Sequence, residues 1–147
     1  MKSKIRNQVF ETNSSSVHTI VFSNDGLEPS NLPVKDGMIQ IDFGQFGKEL
    51  NYYNSQYDKL SYLITCLYYI SSYPNDDIYD TYLFKEIQST VCEYAGANGI
   101  EIIGDVEPSI DHQSQPYDDI ELVNVYDKEE LINFIFNKNI LLKTDCD

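Results

Sequence analysis

One stretch restricts the fold of this chain more than any other. From Tyr57 onward, apolar residues recur at helical spacing. Tyr57, Leu60, Ile64, Leu67 and Tyr68 form a stripe, and Leu63, Cys66 and Ile70 widen it until the late turns are apolar nearly all round. A helix with so little polar surface has no face to offer water and must lie at the centre of the molecule. Asn54 or Ser55 is its cap, and the helix is expected to run to about Ser71. The rest of the chain has to cover it.

The flanking segments supply the cover. Pro74-Asn75-Asp76-Asp77 ends the first helix and opens a second, placing acids at a positive helix N-terminus. Ile78, Tyr82, Leu83, Ile87, Val91 and Tyr94 carry this second helix, and Gly96 stops it. Asp127, with Glu130 three residues on, reads as a capping box for a third helix through about Phe136. Strands are expected over residues 4–11, 17–22, 38–43, 99–104 and 120–126, with a last edge strand at 140–142 and a frayed acidic tail at 144–147. Residues 23–37 and 105–119 read as polar loops. With 147 residues and no linker or repeat, the chain reads as a single α+β domain. Its two central helices and a third, C-terminal helix would pack on one face of a mostly antiparallel sheet.

Charge narrows the function. The formal net charge is −14 and the pI about 4.3, which argues against direct nucleic-acid binding and against docking on an anionic membrane. An acidic surface suits a soluble protein, or one that offers carboxylates to a basic partner. The twelve tyrosines give surface that is both apolar and hydrogen-bonding, as interfaces use, although tyrosines also fill cores. Cys66, Cys92 and Cys146 match no zinc or redox spacing, and the first two fall in helical patterns as core thiols, pointing to a reducing compartment. No signal peptide and no membrane-length apolar window is read.

The charge is also uneven. Residues 1–22 hold Lys2, Lys4 and Arg6 against Glu11, a net +2, whereas the remaining residues hold seven lysines against twenty-three acids, a net −16. The positive segment contains a strand–loop–strand whose loop is unusually polar: Glu11, Thr12, Asn13, Ser14, Ser15 and Ser16, with His18 just inside the second strand. The other histidine, His112, sits in Ile110-Asp111-His112-Gln113-Ser114. Should the fold join the two segments, His18 and His112 would serve as base and acid, with Glu11 orienting a ring. Arg6, Asn13, Ser14, Ser15, Ser16, Asp111 and Ser114 would hold an anionic ligand such as a nucleotide or phosphoester. The plainer alternative is that the serines satisfy a tight turn and each histidine is a surface hydrogen-bonder. With no paired-ligand helix motif, no phosphate loop and no GxGxxG, neither a metal nor a cofactor is expected.

At Phe10-Glu11-Thr12-Asn13-Ser14-Ser15-Ser16-x-His18 the chain resembles a group of small uncharacterised proteins from bacteriophages, prophages and related mobile elements. The Ile110–Ser114 run and Phe134-Ile135-Phe136-Asn137 are similar to the same group, while the middle helices are not covered. The resemblance implies a phage-type origin and brings no activity with it. The expectation is therefore an accessory protein of the bacterial cytoplasm that binds a host protein, a nucleic-acid-binding one among the options, for instance to inhibit host defence. A small enzyme or sensor at a His18/His112 site is the alternative.

Overall fold

The central helix forms as expected. The computed structural model describes residues 3–9, 17–23, 25–47, 49–70, 77–110 and 122–145. In chain order its elements are β1 (Ser3–Val9), β2 (Val17–Ser23), β3 (Val34–Lys35), β4 (Met38–Ile41), β5 (Gln45–Phe46), β6 (Asn51–Tyr53) and α1 (Gln56–Ile70). A 3-10 turn (Ile78–Asp80), α2 (Tyr82–Ala95), β7 (Gly99–Ile102), β8 (Ser109–Ile110), α3 (Lys128–Phe136) and β9 (Leu141–Asp145) complete the described set.

The chain is an α+β protein, and its strands divide among three small sheets rather than joining into one. β1, β2, β9 and β6 lie in that order in an all-antiparallel sheet. β3 and β4 pair antiparallel, and β7 joins β4 in parallel. β5 and β8 form a short parallel pair. Parallel neighbours need a long crossover. Here α1 and α2 fall between β4 and β7 in the chain and provide it.

α1 buries Leu60, Tyr62, Leu63, Ile64 and Leu67 against Ile39 and Ile41 of β4, the inner faces of α2 and α3, and Ile20 and Leu142 of the larger sheet, all within one core cluster. Each such side chain contributes about 2 kcal/mol on burial, as an upper estimate. Ser55 caps the helix, its Oγ accepting the Asp58 N–H at 3.0 Å. The polar residues of α1 are used as well. Tyr57, Ser61 and Thr65 stand one turn apart and face the chain after β4. The Asp42 N–H donates to Tyr57 Oη (3.0 Å), Ser61 Oγ donates to the Asp42 carbonyl (2.7 Å), and the Gly44 N–H donates to Thr65 Oγ1 (3.0 Å).

Several expectations change, and β3 and β8 fall in segments read as loops. Residues 122–126 are not a strand: Leu122, Val123 and Val125 are buried, but the backbone bends, with the Tyr126 N–H on Asn124 Oδ1 and the Asp127 N–H on the Asn124 carbonyl. Local turn bonds replace a ladder, while the alternating side chains still reach the core. The last strand, β9, is central between β2 and β6, not an edge, and Thr144 and Asp145 of the tail expected to fray belong to it, Thr144 fully buried; residues 146–147 lie outside the described ones. Tyr82, expected on the inner stripe of α2, is 79% exposed, because Thr81 caps a fresh helix there after the 3-10 turn ends. β6, which lacks a strand-length pattern, forms by pairing with β9.

Candidate functional site

The N-terminal hairpin brings two of the expected site residues together. In the β1–β2 register Arg6 stands opposite Ile20, and Gln8 opposite His18. Arg6 and His18 are therefore diagonal positions on one face of the ladder. Across the other side of β2, His18 pairs with Thr144 of β9. Glu11, Asn13, Ser14, Ser15 and Ser16 lie outside the described residues, as do Asp111, His112 and Ser114. Whether His18 meets His112 thus falls outside what is described.

Sequence reasoning missed a buried lysine. Lys59, on α1, is fully buried, and its Nζ donates to the Asn137 carbonyl at 2.8 Å and the Ile140 carbonyl at 3.1 Å, with the Phe134 ring 5.9 Å away. Those carbonyls lie at and just beyond the C-terminus of α3, where helix carbonyls lack intrahelical partners and a cation is favoured. Burial lowers the amine from its ordinary value to about 8. Its setting is a knot of amides. Asn137 Nδ2 donates to Asn133 Oδ1, Asn137 Oδ1 accepts the Asn139 N–H, and Asn139 Nδ2 reaches the Asp25 carbonyl. Gly26 passes so close that a Cβ would lie 2.6 Å from Asn137 Oδ1, and its φ of 104° is itself unfavourable for other residues. The Phe134–Asn137 run singled out in the sequence therefore has a structural duty here. Its visible signal was the density of asparagines after an apolar helix.

A second region carries the acidic character to the surface. Asp77 caps the 3-10 turn, its Oδ1 accepting the Tyr79 N–H at 3.0 Å. The Tyr79 ring packs edge-on against Phe84, with centroids 5.0 Å apart, and its Oη accepts the Ile102 N–H of β7 at 2.8 Å. The turn is thereby held along β7. Asp77, Asp80, Glu101 and Asp105 are exposed around it, together with Tyr79, Tyr82, Ile103 and Val106. Lys85 is exposed one turn into α2. The result is an acidic surface with exposed apolar and phenolic groups set into it.

Among the described residues no group of three histidine, cysteine, aspartate or glutamate side chains is placed to hold a metal ion. No helix among them is long and apolar enough to cross a membrane. Cys66 and Cys92 are free thiols; burial pushes Cys66 up to about 12, against a hydrogen bond with Tyr62, and burial raises Cys92 as well. Cys146 lies outside the described residues. No protein-family model matches the chain, and neither a curated protein nor a solved structure matches it.

Proposed function

We propose that this protein is a phage-type accessory protein that binds a host factor in the bacterial cytoplasm, and that inhibition of host defence is the service it performs. The observation that carries the binding reading is the exposed face around Tyr79 and Tyr82, where apolar and phenolic groups sit among Asp77, Asp80, Glu101 and Asp105. Such a face suits a basic groove, including one that otherwise holds nucleic acid. The phage-type origin rests on the resemblance at Phe10–His18.

The test uses the full chain as bait for bacterial host proteins. A chain carrying Asp77→Lys, Asp80→Lys and Glu101→Lys, and separately Tyr82→Ala, should lose the captured partner, and wild-type capture should weaken as salt rises. His18→Ala and His112→Ala should leave capture intact. Retention by the charge-reversed chain, with loss in the histidine variants, would reverse the assignment. The second reading, a nucleotide or phosphoester site, draws on the diagonal placement of Arg6 and His18. It expects His18→Ala to abolish nucleotide binding measured by calorimetry.

A further inference from the structure

The chain contains one asparagine followed by glycine, Asn98-Gly99, and the fold sets this pair at the entry to a strand. Gly96 stops α2 in the left-handed conformation and β7 begins at Gly99, so Asn98 ends the short connection between them. Asn98 is exposed, whereas Gly99 is buried. Packing explains the glycine: a Cβ there would lie 2.7 Å from Met38 Cε, on the β4 residue that pairs with it. Close approach of β7 to β4 therefore leaves the main-chain nitrogen after Asn98 without a side chain to shield it.

Two contacts turn Asn98 toward the connection between β3 and β4. Its N–H donates to the Gly37 carbonyl at 2.7 Å, and its Nδ2 lies so close to Gly37 that a Cβ on that glycine would collide with it. The Gly99 N–H faces the same side. The N–H groups of Ile100 and Ile102 leave β7 outward, to Gln88 Oε1 and Tyr79 Oη, and that of Ile103 points inward to the Ile41 carbonyl. Alternation along the strand turns that of Gly99 inward as well. The carboxamide and the nitrogen able to attack it thus lie on one side of the chain, at a residue that water reaches.

We propose that Asn98-Gly99 is a self-modification site, at which the chain deamidates through a cyclic imide. The Gly99 nitrogen gives its proton to solvent base and bonds to Asn98 Cγ. The Cγ–Nδ2 bond breaks, and that nitrogen takes a proton from water and leaves as ammonia. Water then opens the five-membered imide at either carbonyl, giving an aspartyl or an isoaspartyl residue. Both products add a negative charge next to Gly37 and the exposed Asp36. The isoaspartyl form also adds a carbon to the main chain where β7 begins. It shifts the Asn98–Gly37 hydrogen bond out of step with the Met38–Gly99 pair and so loosens the β4–β7 ladder. Asp25-Gly26 and Asp36-Gly37 have no ammonia to expel, so the change is directed to residue 98. It needs no partner and stands apart from the binding reading.

Ageing the folded, full-length chain in warm buffer, followed by peptide mapping, tests this. The peptide holding residue 98 should gain about one mass unit, with the isoaspartyl form detected by enzymatic carboxyl methylation. The rate should rise several-fold between about pH 7 and about pH 9, because a base must take the Gly99 proton. It should stay within about tenfold of the rate in urea, and the isoaspartyl form should show faster amide exchange at Ile100 and Ile102. Asn98→Gln, which would have to close a larger ring, should keep the fold and lose the modification. A folded chain that reacts more slowly than that limit, a first change at another asparagine, a rate indifferent to pH, or unaltered exchange in the isoaspartyl form would each overturn the inference.

Discussion

Lys59 is the residue at which local chemistry and the fold are most tightly joined. An ammonium without a carboxylate among its bonded partners is held in the core by two main-chain carbonyls. Truncation to alanine would leave a cavity and remove a donor from those carbonyls, a cost of about 3 kcal/mol or more. Lys59→Met keeps most of the volume and isolates the charge. The amine titrates at about 8 in the fold, below its unfolded value of about 10.4. Below pH 8 it is protonated in both states, and its contribution does not change with pH. Between pH 8 and about 10.4 the unfolded chain binds more protons, so the wild type gains stability as pH rises. Denaturant titrations should therefore show the wild type gaining on Lys59→Met from pH 7 to pH 9.5. A difference that stays level or shrinks would show that the amine is not shifted downward. A lysine one position before Leu60 carries no mark of burial in the sequence, because the cost is met by α3, nearly eighty residues away.

Among the elements, β7 shows how an edge is closed without another strand. Tyr79 does this from the 3-10 turn, which is itself held by Asp77. Tyr79→Phe keeps the ring against Phe84 and removes only the hydroxyl acceptor. The expected cost is about 1 kcal/mol, with faster amide exchange at Ile102 and little change at Ile100, which Gln88 covers. Unchanged exchange at Ile102 would mean the hydroxyl does not guard the edge. Much at this scale was legible. Gly96 ends α2 in the left-handed conformation, φ 75°, and Asp127 and Ser55 cap helices at the expected starts, whereas α2 opens at Thr81, four residues past the expected Asp77. At the start of α3 the Glu130 N–H donates to Asp127 Oδ1 and the Glu130 carboxylate accepts the Asn124 N–H. The 122–126 segment was misread because alternation shows which side chains are buried, not whether a ladder partner exists.

For the whole molecule, charge sets the strongest expectation. A chain of −14 repels itself in the folded state, and the described ion pair Lys128–Glu93, at 3.7 Å between exposed side chains, does little to offset this. Raising ionic strength from about 0.01 M to about 0.15 M shortens the screening length from about 30 Å to about 8 Å. The melting temperature should rise with it; a gain near 1 kcal/mol would move it by about 4 °C. A melting temperature that falls or stays level with added NaCl would argue that the acids are already neutralised by local contacts.

Periodicity and end signals sufficed for three helices, the N-terminal hairpin, a central α1 and the α+β class, because each is a local property of neighbouring side chains and caps. Pairing between distant segments was beyond them. β9 became an inner strand of the larger sheet, β6 came into being on its edge, and Lys59 found its acceptors past the end of α3. The candidate site divides in the same way. Arg6 and His18 are joined by a hairpin register that two adjacent strands already imply. By contrast, the acidic face required the 3-10 turn to lie along β7, a contact between residues some twenty positions apart that no local pattern encodes. Side-chain burial is written in spacing, whereas strand order and long-range hydrogen bonds depend on which surfaces remain once the core has closed.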